Sequence, residues 1–161
     1  MNLEHIPFKG DYKGKHLSIS SQFFLPGFTK HHASTIEAAL EYQHPDNYYF
    51  ASDLLPARGY HYTYYDQFAK LSLGYELPLL YPDMHLGVLF FLRRISTGVF
   101  YDYSMGKTGN QTKALKSASL EMKGNFTVLN FPVYLEAGLR ASYRFLDGEM
   151  NYSVLFLDIA L

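Results

Sequence analysis

Ala69-Lys70-Leu71-Ser72-Leu73-Gly74-Tyr75-Glu76-Leu77-Pro78-Leu79 decides how this chain is read. Its odd positions, Ala69, Leu71, Leu73, Tyr75, Leu77 and Leu79, are apolar, while the positions between them include Lys70, Ser72, Gly74 and Glu76. A β-strand turns successive side chains to opposite faces, so this run carries one apolar face and one charged face. A helix of the same residues would scatter the leucines around its circumference.

The same period recurs on both sides of that stretch. Residues 118–128 set Ala118, Leu120, Met122, Phe126 and Val128 against Ser119, Glu121, Lys123, Asn125 and Thr127. Residues 133–145 set Val133, Leu135, Ala137, Leu139, Ala141, Tyr143 and Phe145 against Tyr134, Glu136, Gly138, Arg140, Ser142 and Arg144. Weaker alternation marks 17–25 (Leu17, Ile19, Phe23, Leu25), 35–42 (Ile36, Ala38, Leu40, Tyr42) and 152–161 (Leu155, Leu157, Ile159, Leu161). The segment 87–103 is apolar on both faces at its start. It resolves later, with Ile95, Thr97, Val99 and Tyr101 opposite Arg94, Ser96, Gly98, Phe100 and Asp102. The pattern predicts about seven strands, the clearest of them about the 9–11 residues that a tilted barrel strand needs to cross a bilayer.

Composition narrows the classes further. The 161 residues carry a formal charge of −1, which gives no electrostatic case for nucleic acid. There is no Cys, so disulfides, thiolate catalysis and Cys-ligated metals are excluded. The 15 Tyr and 13 Phe, with no Trp, suit pleated surfaces and membrane interfaces. No apolar stretch approaches the roughly 18 residues of a spanning helix; the longest, near Leu86, stops at Arg93 and Arg94. Residues 1–10 lack the charged region and apolar core of a secretory signal, so an export signal and further strands are expected upstream.

These readings predict an all-β, antiparallel up-and-down transmembrane β-barrel. Residues 1–161 form a single barrel segment, with 1–16 an outer loop and 17–161 the strands. The supposed outer connections, 43–66, 104–117 and 146–151, are longer than the inner ones at 26–33, 80–86 and 130–132, as in outer-membrane barrels. A soluble barrel with its apolar row inside has the same alternation. Strand length, tyrosines near strand ends and a polar face of both charge signs favour the membrane.

Two short motifs go beyond the fold. Ala57-Arg58-Gly59-Tyr60 stands in the longest connection, and Gly98-Val99-Phe100-Tyr101-Asp102 on a later strand. Together they resemble the signature pair of the BamA/TamA and two-partner-secretion (bacterial surface antigen) barrel superfamily of the Gram-negative outer membrane. The resemblance implies that the Arg-Gly-Tyr tip of an extracellular loop folds back into the lumen. Arg58 then pairs with Asp102, Gly59 allows a tight turn, and Tyr60 packs beside Phe100 as a structural latch. It also implies that residues from about 17 onward are the C-terminal strands of a larger barrel of about sixteen strands. The run Glu76-Leu77-Pro78-Leu79-Leu80-Tyr81-Pro82 is similar in style to Bacteroidetes outer-membrane proteins. The function implied is outer-membrane protein assembly or polypeptide translocation, with lipid and client polypeptides as partners and no covalent catalysis. A passive porin or ligand-uptake barrel, and a soluble lipocalin-like binding barrel, are the other readings.

Other signals are weaker. The seven histidines, among them His31, His32 and His61, lack ligand spacing, so no metal site is assigned. Gly106-Lys107-Thr108 ends like a phosphate loop, but its first glycine position holds Tyr101 and no helix pattern follows. Ser52 and His61 form at most a loop pair without a nucleophile elbow, so neither a catalytic residue nor a cofactor is assigned.

Overall fold

A computed structural model of the chain describes residues 2–5, 14–45, 54–128 and 134–159. They are all β, with no helix. The strands are β1 (Asn2–His5), β2 (Gly14–Pro26), β3 (Ala33–Pro45), β4 (Gln67–Leu80), β5 (Met84–Leu86), β6 (Phe90–Thr108), β7 (Gln111–Val128), β8 (Tyr134–Arg144) and β9 (Glu149–Ile159). They form one antiparallel sheet in the order β1-β2-β3-β4-β6-β7-β8-β9, with β5 paired beside β6. Each main strand pairs with its neighbour in sequence, as an up-and-down meander requires. Among the described residues β1 and β9 are the two ends of the sheet.

Register aligns the two faces across the whole sheet. Gln22, Glu37, Ser72, Asp102, Ser117, Arg144 and Glu149 stand opposite one another in a single row across seven strands. The parallel row on the other face reads Phe23, Ile36, Leu73, Tyr101, Ala118, Tyr143 and Met150. The polar face is the enclosed one. Asp102 and Ser117 are 0% exposed and Glu121 3%, whereas Leu120 is 55% and Leu139 65% exposed. In a water-soluble sheet burial runs the other way, so it is this combination of buried charge and open aliphatic surface that is informative.

What encloses the polar face is the connection that follows β3. Tyr65 stacks on Phe68 at 5.7 Å, and Leu54, Pro56 and Tyr62 gather over Phe68 and Glu41. Backbone bonds tie the end of this segment to the sheet: Gln43 N donates to Asp66 O, and Asp66 N to Lys107 O. The buried apolar side chains Phe68, Phe100 and Leu115 therefore belong to the polar face, under the segment, and not to a separate core.

The strands differ from the sequence reading in particular places. Residues 1–16, expected as an outer loop, contain β1 and the first residues of β2, paired as Asn2 with Ser18 through His5 with Lys15. The expected 104–117 loop is a hairpin instead. β6 and β7 stay paired as far as Thr108 and Gln111, and Gly109 takes a φ of 57° in the tight turn. Of the three connections expected outside, the one between β3 and β4 remains long, while β6–β7 and β8–β9 are joined by short turns. The segment expected to start at Gly87 is broken there, with Gly87 at φ 70° in the turn between β5 and β6.

Two bulges change the facing near that end of the sheet. On β6 the register shifts between Leu92 and Arg94, so Arg93 is an extra residue and the facing reverses across it. Before the bulge Leu92 shares the outward face with Phe126; after it Arg94 shares the polar face with Asn125. On β4 the shift lies between Pro78 and Leu80, where a proline that cannot donate to the ladder is tolerated.

Because the chain has no Cys, its register can be read by crosslinking. Ser119→Cys with Ser142→Cys, directly opposed on β7 and β8 with hydroxyls 2.9 Å apart, is expected to form a disulfide on mild oxidation. Ser119→Cys with Tyr143→Cys is expected not to, since Tyr143 faces the other way. The reverse result in non-reducing mass spectrometry contradicts this register.

Candidate functional site

The site grows from one turn. In Ala57-Arg58-Gly59-Tyr60 the Tyr60 N–H donates to Ala57 O at 3.1 Å, and Gly59 takes a φ of 86°. A positive φ at the third position is the type II pattern, which glycine adopts without strain. Gly59 is also pressed onto β8, where an added Cβ would lie 2.9 Å from the Ser142 Cβ. Both constraints demand glycine here.

The turn aims Arg58 at the middle of the polar face. Its backbone N donates to Asp102 Oδ2 at 3.0 Å, and its Nη1 lies 2.5 Å from Asp102 Oδ1 and 2.9 Å from Ser72 Oγ. Ser72 donates in turn to Asp102, and Ser117 Oγ stands 3.5 Å from Asp102 Oδ2. Next to Asp102 on that face, Ser104 accepts from the Ala57 N–H at 3.2 Å. A carboxylate offers about four acceptor sites, and here each finds a donor. Three strands and the loop converge on a group that water does not reach.

Phe100 supplies the floor. The Arg58 guanidinium carbon lies 4.1 Å above its ring centroid, and the ring lies against Gly74 of β4 and Gly98 of β6. A Cβ at Gly74 would come within 2.7 Å of the ring. The stack is therefore glycine backbone, aromatic ring, guanidinium, and a planar cation suits it better than a lysine ammonium does.

Arg58 also joins a second cluster. Its Nε is 3.4 Å from Glu121, which Arg140 Nε approaches at 2.6 Å. Lys123 stands 3.2 Å from Glu76 and 3.3 Å from Glu136, and 3.8 Å from Glu121. Three cations, Arg58, Arg140 and Lys123, thus face the carboxylates Asp102, Glu121, Glu76 and Glu136 across neighbouring strands. Such a cluster is nearly balanced in charge, and it can position a loop or a polar ligand.

Of the five residues the sequence singled out, Arg58, Gly59, Phe100 and Asp102 come together. Tyr60 does not take the place expected beside Phe100, because the guanidinium occupies it. Its hydroxyl instead donates to Lys116 O at 3.0 Å and accepts from Leu146 N at 3.2 Å, with Arg144 over its ring at 5.6 Å. Tyr60 holds the turn to β7 and to the β8–β9 connection. Sequence reasoning missed Ser72, Ser104, Ser117 and the Glu121 cluster. Their common facing was legible, but which residues stand opposite one another depends on register. His32, weighed as a metal ligand, bonds Tyr75 through Nδ1 at 2.7 Å beside the turn after β2. Ser52 lies outside the described residues, so its pairing with His61 is not described.

Comparison of the chain with family models, with curated proteins and with solved structures gives no match.

Arg58→Ala leaves Asp102 buried without its cation, an error that costs about 3–5 kcal/mol in buried pairs. The expected outcome is faster proteolysis and hydrogen exchange in the segment 54–66 of the full-length protein, with the sheet itself still protected. Unchanged exchange in that segment contradicts the latch. Gly74→Ala is expected to lift the Phe100 ring and loosen the same segment without touching Arg58.

Proposed function

We propose that this chain is part of a β-barrel of the Gram-negative outer membrane, related to the assembly and translocation superfamily. In this reading it serves as a non-catalytic scaffold for inserting or moving polypeptides. The observation that carries the membrane part is the inverted polarity of the sheet. Leu40, Leu73, Leu120, Leu139 and Phe156 lie open while Asp102, Glu121 and Lys123 are enclosed. Exposed to water, each open aliphatic surface costs about 25 cal/mol per Å²; facing acyl chains it costs nothing. A soluble binding barrel needs the opposite facing.

What supports the superfamily is the meeting of an Arg-Gly-Tyr turn with a Phe-x-Asp strand motif, with Arg58 paired to Asp102 as the resemblance implies and Tyr60 departing from it. The latch does no chemistry on a substrate. It keeps a loop against the polar wall, where both charge signs meet the passing chain and apolar contacts are few. The segment lying across that wall also speaks against a wide passive pore.

The test begins with the full-length protein in its native membrane. It is expected to stay with the membrane through alkaline extraction and to be released by detergent; release by alkali alone overturns the membrane reading. Leu120→Lys is expected to lower folding yield into lipid vesicles, by up to about 2–4 kcal/mol if the site lies near the bilayer centre. Cells carrying Arg58→Ala are expected to accumulate unassembled outer-membrane or secreted proteins. Steady conductance in liposomes without any client, together with normal assembly in those cells, would instead assign a passive pore.

A further inference from the structure

Charge on the outward face is confined to one end. Within β2 to β8, register puts three lysines in outward rows, Lys15, Lys107 and Lys116, and no Asp or Glu. All three are exposed, and all three lie in the half of the sheet toward the Gly109 turn, where the loop carrying Arg58 returns. The other half of those rows holds no charged residue; Arg93, the extra residue of the bulge, stands in no row. Acids near the lysines are engaged elsewhere. Glu41 faces the enclosed side, where its carboxylate lies 3.3 Å from His16 Nε2 and accepts from the Gln43 amide. Asp66 accepts from Gly109 N at 2.7 Å, and Asp147 and Glu149 are held by Arg144. Among the described residues no carboxylate pairs with Lys15, Lys107 or Lys116.

Aromatic rings mark depth on this face. Tyr101 and Tyr143 lie 6.4 Å and 5.2 Å from the Phe145 ring, and tyrosines gathered in this way suit the head-group boundary of a membrane. Lys116, one row farther out, rests its ammonium over Tyr103 at 5.6 Å and so stands at that boundary. Lys107 is opposite Thr112, so it lies about 13 Å farther along the strand at about 3.3 Å per residue. Lys15 is one row beyond that. A phospholipid layer sets its phosphates in one plane, which cations stepped over this depth do not match. A glycolipid with a phosphorylated, acidic oligosaccharide head offers anions at several depths. The outer leaflet of a Gram-negative outer membrane, on the side where this reading places the Arg58 loop, is built of such a lipid.

We propose that this end of the outward face binds lipopolysaccharide, with Lys116 at the lipid A phosphates and Lys107 and Lys15 at the anionic groups of the core sugars. The proposal rests on the membrane reading above, and it adds a defined head-group chemistry to the general contact with lipid that any spanning barrel makes. The same strand positions hold the latched loop from behind. Tyr60 donates through its hydroxyl to the Lys116 carbonyl, and Asp66 N donates to the Lys107 carbonyl. Lipid contact and the position of the 54–66 segment therefore meet at the same residues.

The experiment is native mass spectrometry of the full-length protein in nonionic detergent, equilibrated with core-bearing lipopolysaccharide, with diphosphoryl lipid A or with phosphatidylglycerol. Wild type is expected to retain lipopolysaccharide best and phosphatidylglycerol least. Lys116→Gln is expected to lower retention of lipopolysaccharide and of lipid A about fivefold each, the contribution of one lysine near an anionic head group. Lys107→Gln is expected to lower lipopolysaccharide about fivefold and leave lipid A unchanged, and Lys107→Arg to preserve both. Lys30→Gln, in the turn after β2 at the opposite end, is expected to change none of them. All these lysines are exposed, so the variants are expected to keep the hydrogen-exchange protection of the sheet. Lipopolysaccharide retention unmoved in the Lys107→Gln, Lys116→Gln double variant overturns the site, as does phosphatidylglycerol held as well as lipopolysaccharide. A protein that stays in the membrane through alkali yet retains none of the three lipids overturns this inference alone. One released by alkali overturns the membrane reading and the lipid site with it.

Discussion

A carboxylate that water does not reach governs this structure. Asp102 sits in the middle of the sheet, and an isolated buried charge there would cost several kcal/mol or pick up a proton. The chain meets that demand by bringing a loop back over the polar face. The Arg58 backbone N–H and guanidinium, with Ser72 and Ser117, then satisfy the carboxylate together. The two halves depend on each other: Asp102 anchors the turn that carries Arg58, and among the described residues Arg58 is the cation paired with that carboxylate. Gly74 and Gly98 let the backbone come this close to the Phe100 ring, and Gly59 lets the turn lie against Ser142.

The outward face follows from the same arrangement. With the polar row enclosed, period two leaves the leucines, valines and tyrosines on the other side. A row of open aliphatic side chains across seven strands is a liability in water and an asset against acyl chains. The bulges at Leu79 and Arg93 belong to this logic. They reverse facing near one end of the sheet, where the strands give way to turns. The proposed barrel and the latch are thus two consequences of one partition of side chains between two faces.

The candidate site was legible in part, for identifiable reasons. Arg58, Gly59, Phe100 and Asp102 lie in two short local motifs, and it was their resemblance to a known signature pair that implied the pairing of Arg58 with Asp102, with which the shared facing of Phe100 and Asp102 agreed. The resemblance implied that Tyr60 packs beside Phe100. The guanidinium fits the ring face better, and the Tyr60 hydroxyl needs polar partners that Lys116 and Leu146 provide. The 104–117 stretch was taken as a loop because Gly, Lys, Thr and Asn cluster there. A paired hairpin tolerates such residues on exposed edges, and one glycine makes its turn.

Alternation alone determined where strands lie and which side chains within each share a face, because the strand period is a local property of the backbone. Composition alone excluded disulfides and thiolate chemistry. Which face is enclosed is not local, since either side of an alternating strand can be turned inward. Only the tertiary structure decided that the charged row is the covered one, and that Ser72, Ser117 and Glu121 stand beside Asp102 and Arg58. Those facts depend on register between strands and on where a loop returns, and both are set by contacts between residues far apart in the chain.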